Sequence, residues 1–237
     1  MKCAIVDERI SEKCERALLT RGFRVIKTPP SENLGQGIMS HPDMLMFVHK
    51  NKIISSAEYC EKNQWVFNDI YEYASDACIT FTEDKFSPKY PHDAIFNALV
   101  IGKHIFYKED SVSRAVREYA ARGGLVGVNV KQGYPACTVL AFGGAAITAD
   151  RGMMAALTSV GIRVTLISEG DISLPPHEYG FIGGAAGVYK KEIYFLGNLD
   201  THRDKDLIRE AIEAEGYVPV SLSDEPLRDL GRIIFIE

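Results

Sequence analysis

Apolar residues recur along this chain in short runs, and the runs follow one another in a fixed order. The stretch from Gly133 to Asp150 shows the unit best. Val139-Leu140-Ala141-Phe142 and Ala145-Ala146-Ile147-Thr148 read as two short strands joined by Gly143-Gly144. Asp150 then caps a helix that turns Met153, Met154 and Leu157 inward. Gly161 stops that helix, and residues 162–167 form a further strand. The same plan returns three times. Residues 44–48 and 52–55 predict a hairpin around His49-Lys50-Asn51. A helix begins there at Ser55 or Ser56, and after a stretch of weak pattern a strand covers 77–81. Residues 98–101 and 104–107 predict a hairpin turned at Gly102-Lys103. Ser111 is the expected cap of its helix, Val112, Ala115, Val116 and Tyr119 share a face, and residues 125–130 are the strand that follows. Residues 179–188 and 192–196 predict a fourth hairpin, with a helix from about Asp204 and a strand over 217–222. Residues 28–40 and 82–93, rich in proline and without periodicity, read as loops.

The ends of the chain supply the remaining unit. Residues 2–6 form a strand, Ser11 caps a helix that runs to Arg21, and residues 23–27 form the next strand. The missing first strand is Ile233-Ile234-Phe235-Ile236. Glycine marks the helix exit in four units, at Gly22, Gly124, Gly161 and Gly216. Pairing the last strand with the first closes a ring of about five ββαβ units and removes two exposed sheet edges. Residues 1–237 are thus expected to make one domain.

Composition narrows the picture modestly. The 237 residues are 46% hydrophobic and 25% charged, the balance of an ordinary globular protein. A net charge of −5 argues against a nucleic-acid or anionic-membrane partner. No apolar run reaches the roughly 20 residues that span a bilayer. The first residues carry charges too early for a signal-peptide core, so a cytoplasmic protein is expected. Homo-oligomerisation stays open. The five cysteines, Cys3, Cys14, Cys60, Cys78 and Cys137, form no CxxC pair and read as reduced thiols. Four fall within apolar or helical patterns, as small core residues do. Cys137 alone stands where an irregular segment meets a strand.

This ring of ββαβ units resembles the pentein fold, a five-bladed β/α propeller with pseudo-fivefold symmetry. That fold belongs to guanidine-modifying enzymes such as arginine deiminase, dimethylarginine hydrolase, agmatine deiminase and the amidinotransferases, and also to a non-enzymatic ribosome anti-association factor. The resemblance implies that the strand entering each hairpin starts near a central channel. The entrances are Ser40-His41-Pro42-Asp43, Phe96-Asn97, residues 134–138, His177-Glu178-Tyr179-Gly180 and Asp229-Leu230-Gly231-Arg232.

Cys137-Thr138 resembles the nucleophile segment of the deiminases, although Gly133-Tyr134-Pro135-Ala136 replaces the long glycine run found there. A guanidinium carbon is a poor electrophile and needs a strong nucleophile such as a thiolate. The other reading of Cys137 is a buried structural thiol. His41-Pro42-Asp43 resembles the His-x-Asp motif, in which the histidine moves protons and the aspartate holds the guanidinium. On a strand the two side chains share a face. Read without the resemblance, they form a solvated loop motif. One unit separates His41-x-Asp43 from Cys137, as in the family. The family's further acidic residue has only Asp229 as a candidate, and a surface carboxylate is its plainer reading. Asn97, Tyr134, Thr138, Tyr179, Gly180 and Gly183 are the other expected substrate contacts. In Phe181-Ile182-Gly183-Gly184-Ala185-Ala186-Gly187, either close packing or backbone N–H groups for a substrate carboxylate explain the glycines. His177 and His202 lack metal-ligand spacing, and neither a metal nor a cofactor is expected.

The resemblance therefore implies an enzyme that modifies a small arginine-like guanidine through an amidino-thioether on Cys137, by hydrolysis or transfer. A pentein used as a binding module or small-molecule sensor is the alternative.

Overall fold

A computed structural model describes residues 2–236. In chain order, β1 (Cys3–Asp7), α1 (Glu12–Thr20) and β2 (Arg24–Thr28) come first. A helical turn α2 (Pro42–Leu45) leads into β3 (Met46–His49), β4 (Lys52–Ser56), α3 (Ala57–Lys62), α4 (Gln64–Tyr73) and β5 (Cys78–Thr82). The third unit is β6 (Leu99–Ile101), β7 (His104–Tyr107), α5 (Arg114–Arg122) and β8 (Val126–Asn129). A second helical turn α6 (Pro135–Thr138) opens the fourth, β9 (Val139–Phe142), β10 (Ala145–Thr148), α7 (Arg151–Ser159) and β11 (Arg163–Leu166). Then come β12 (Ala186–Tyr189), β13 (Glu192–Phe195), α8 (Lys205–Ala214), β14 (Val218–Ser221) and finally β15 (Ile234–Ile236).

The described residues form five three-stranded sheets of one design. In each, the first two strands pair antiparallel, and a helix carries the chain over to a third strand parallel to the second. The terminal strands complete the fifth sheet: Cys3 stands opposite Ile236 and Ile5 opposite Ile234, antiparallel, while β1 runs parallel to β2. The five sheets are the blades of an α/β pentein propeller, with the first strands innermost. β12 touches both β15 and β9, and β6 touches β9.

Burial follows position in the blade. The middle strands β1 and β10 are buried throughout, whereas β5, β8 and β14 at the rim are largely exposed. Inner strands therefore read as continuous apolar runs and outer strands do not. The glycines at the helix exits are required by geometry. Gly22, Gly124, Gly161 and Gly216 all adopt positive φ, between 66° and 83°, which L-residues with a Cβ reach only at a cost.

Several expected boundaries move. The cap of α5 is Ser113, whose Oγ accepts from the Ala115 N–H, not Ser111. Residues 64–73, where the pattern looked poor, are helix α4. Its buried Val66, Phe67 and Ile70 keep helical spacing, but the exposed aromatics Trp65 and Tyr71 blur the contrast between its faces. Residues 179–185 do not extend β12; 182–185 form a turn that leads into it. Cys78 is exposed on the rim strand β5 rather than packed in the core. Among the described residues no helix is long and apolar enough to cross a membrane.

Candidate active site

The blade entrances converge, but through helical turns rather than straight strands. α2 and α6 are equivalent turns in two blades, each with proline at its first position, where no N–H is needed. His41 precedes the first turn and Asp43 lies within it. Tyr134 precedes the second and Cys137 lies within it. His41 and Asp43 thus reach the same centre around a turn, not along one face of a strand.

At that centre the Cys137 thiol donates to Asp43 Oδ2 at 2.8 Å. One ligand-type atom each from His41, Asp43 and Cys137 lie within 4.8 Å of one another. All three residues are buried. Asn97 lies behind the thiol. Its Nδ2 donates to Cys137 Sγ at 3.2 Å, and its Oδ1 accepts from the Ala136 N–H at 2.8 Å. Asn97 therefore fixes both the turn and the sulfur. Asn97→Ala is expected to lower stability by about 2–3 kcal/mol, because a buried N–H loses its acceptor. Urea unfolding measures this, and an unchanged midpoint contradicts it.

His41 is held between two buried carboxylates. Its Nε2 lies 3.9 Å from Asp7 Oδ2 and its Nδ1 3.9 Å from Asp229 Oδ1, and neither ring nitrogen makes a hydrogen bond. Burial pushes the His41 pKa well below its ordinary value, and the charges of Arg9, His177 and Arg228 act in the same direction. The neighbouring carboxylates do not reverse this, for two reasons. Arg9 neutralises Asp7, its Nε donating to Asp7 Oδ1 at 2.9 Å. Asp229 is itself reluctant to ionise: burial raises it to about 7, helped by the charges of Asp43 and Asp7 and opposed by the Phe181 and Gly231 N–H groups. Asp43 is raised to about 6 by burial, against the Cys137 hydrogen bond and the Arg232 charge. The Cys137 thiol is pushed far up by burial and by the Asp43 and Asp229 carboxylates. At rest the site holds a neutral imidazole and a protonated thiol. A cation entering it would favour ionisation of Asp43, Asp229 and the Cys137 thiol.

A cavity of about 460 Å³ opens above this cluster. His41, Cys137, Tyr134, Tyr179 and Asp229 line it. Asp229, whose plainer reading was a surface carboxylate, is only 1% exposed. Asn97, Thr138, Gly180 and Gly183 lie behind the lining. Thr138 Oγ1 donates to the Tyr134 carbonyl and stiffens α6. A Cβ on Gly183 would stand 2.6 Å from the carbonyl oxygens of Ala136 and Cys137, so only glycine lets the chain pass beneath that turn. The N–H groups of Phe181, Gly184 and Ala185 are already bonded, to Asp229, Cys137 and Phe181 respectively. In this stretch close packing accounts for the glycines, and those three N–H groups are not free for a substrate carboxylate. His177, which lacks metal-ligand spacing in the sequence, stands at the cavity mouth with Glu178.

Sequence reasoning missed Asp7 and Asp93. Asp7 ends the apolar run of β1, and a charge closing a buried strand was the available signal. Asp93 sat in a segment read only as loop; it lines the cavity and accepts from the Tyr134 hydroxyl at 2.6 Å. The grouping of His41, Asp43 and Cys137 also has the composition of a divalent-metal site, for which the thiol would have to give up its proton.

Five such blades around a polar centre define the pentein fold, and solved structures bear this out. Dimethylarginine dimethylaminohydrolase from Pseudomonas aeruginosa, a cysteine-to-serine mutant complexed with citrulline, superposes with a TM-score of 0.55 at 12% identity, covering 94% of this chain and 91% of that one. Inosamine-phosphate amidinotransferase from Streptomyces griseus gives 0.55 at 14% identity, over 94% and 78%. Agmatine deiminase from C. jejuni gives 0.54 at 5% identity, over 94% and 87%. By sequence, the chain belongs to the family of unknown function DUF6873, whose model matches residues 5–234. No curated protein matches it.

Proposed function

We propose that the chain is a guanidine-modifying enzyme working through a covalent cysteine intermediate. The observation that carries this reading is the meeting of Cys137, His41 and Asp43, with Cys137, His41 and Asp229 on the lining of the cavity and Asp43 bonded to the thiol behind it. A guanidinium would sit against Asp43 and Asp229, which become fully ionised beside it. Its charge lowers the thiol pKa, and the thiol proton passes to His41. The sulfur lone pair forms the C–S bond at the guanidine carbon. His41 then returns the proton to the departing nitrogen as the C–N bond breaks, which leaves an amidino-thioether. Water, deprotonated by the again neutral imidazole, attacks that carbon; the C–S bond breaks and the thiol is restored. An amine in place of water gives transfer instead. No step calls for a cofactor, and a reduced thiol suits a cytoplasmic setting.

An uncharged or plugged channel would suit a binding module; the open cavity with Asp93, Glu178 and Asp229 on its lining favours chemistry over that reading. The test is to quench the protein with acid during incubation with small guanidines and weigh it. A mass increase confined to the peptide bearing Cys137, together with release of ammonia or amine, is expected. Amine release with no adduct on that peptide rejects the mechanism.

A further inference from the structure

Asp93, which lines the cavity with Cys137, His41 and Asp229, is also built to receive positive charge. Asp93 is 5% exposed, and its Oδ1 is buried without a hydrogen-bond partner. Its Oδ2 is fixed by the Tyr134 hydroxyl. A carboxylate held by one oxygen, with the other bare, is costly unless a ligand supplies a donor. Beside it the Tyr90 and Tyr134 rings meet at 5.4 Å and 54°, offering π faces that attract a cation. Glu178 adds a further negative charge at the mouth.

No lysine or arginine is among the described residues that line this cavity. Arg232 and Lys50 line a separate cavity, on the other side of Asp43. A substrate carboxylate brought into the lined cavity would leave water without meeting a cation, and would face Asp93, Asp229 and Glu178. An amino acid is therefore a poor occupant, although an arginine-like molecule is the first expectation for such a fold.

We propose that the cavity selects a guanidine that carries a second cationic group and no carboxylate, the guanidinium resting beside Cys137 and Asp229 and the second cation on Asp93. The guanidinium half rests on the function proposed above; the Asp93 half stands on its own geometry. Asp93 is then a specificity residue for the distal cation, with Tyr134 positioning it.

Calorimetry on the full chain carrying Cys137→Ser separates binding from turnover, with 4-aminobutylguanidine, butylguanidine and arginine as probes. 4-Aminobutylguanidine should bind about 10- to 100-fold more tightly than butylguanidine, the effect of one charge-assisted hydrogen bond. Arginine should bind weakest. Adding Asp93→Asn should erase the advantage of the amine and leave butylguanidine unchanged. The ligand series needs no Asp93 variant, so it stands even if that variant folds poorly. Arginine binding as tightly as 4-aminobutylguanidine overturns the proposal, as does an Asp93→Asn loss shared equally by both guanidines. Preferential binding of the dication without turnover by the wild-type chain rejects the enzymatic function but keeps this selectivity. Turnover of all three at equal kcat/KM does the reverse.

Discussion

Asp43→Asn should make the protein more stable at pH 8 and, at the same time, nearly inactive. The Asp43 pKa is raised from 3.8 to about 6 in the folded chain, chiefly by burial. Between these values the folded state holds a proton that the unfolded state has released, so stability falls as pH rises through about 4 to 6. Above that window the full penalty applies, roughly 3 kcal/mol for a shift of this size. Asparagine carries no charge to bury, and its oxygen can still accept from the Cys137 thiol. The variant should thus gain up to about 3 kcal/mol at pH 8 and almost nothing at pH 4. His41 acts in the opposite sense: its folded pKa lies below 6.5, so its contribution is lost as pH falls below that value. Both proteins carry His41, and the difference between their urea unfolding curves largely cancels it. Turnover should drop by at least about 100-fold, the loss of a charge-assisted pair with the guanidinium. Equal stability differences at the two pH values would show that Asp43 does not carry the buried charge.

Cys137→Ala has the larger kinetic effect. Loss of the nucleophile should lower turnover by on the order of 10⁴-fold or more, since groups that act as a unit fail together. The fold should survive, because the change removes one sulfur from a helical turn and leaves Asp43 Oδ2 short of a donor, while Asn97 Nδ2 keeps the Asp43 carbonyl and Met44 Sδ as partners. That costs about 1–2 kcal/mol. The measurements are amine release and the unfolding midpoint on the same preparation. In the wild type, Cys137, buried and protonated at rest, should react with iodoacetamide more slowly than the exposed Cys78. Retained turnover in Cys137→Ala sinks the nucleophile assignment outright.

The ring was legible because local signals agreed with one another. Hairpin turns, capping residues such as Ser11 and Asp150, and the exit glycines all mark the same points in each unit. The second blade was hardest to read, since its α4 leaves the helix through Ala74 with no glycine and carries exposed aromatics. The site was legible where chemistry is concentrated in unusual residues, at Cys137 and His41. The burial of the other acids was hidden for a physical reason. An aspartate has the same letter whether solvated or buried, and only the closing of the ring shows that Asp7, Asp93 and Asp229 lose their water. The helical turns before β3 and β9 were hidden as well, because four residues carry too little periodicity to betray a helix.

The pairing of groups from separate blades also bears on how the molecule reaches its working state. The thiol meets its carboxylate across 94 residues of chain, and Asn97 spans 40 residues to the same sulfur. Such distant contacts form only after several loops have closed, and folding slows as their separation along the chain grows. Each blade can assemble its hairpin and helix early, but no single blade contains a complete set of reacting groups. In a refolding experiment the helical signal should therefore return first, and catalytic competence should appear only with the slowest phase, when the last blade docks.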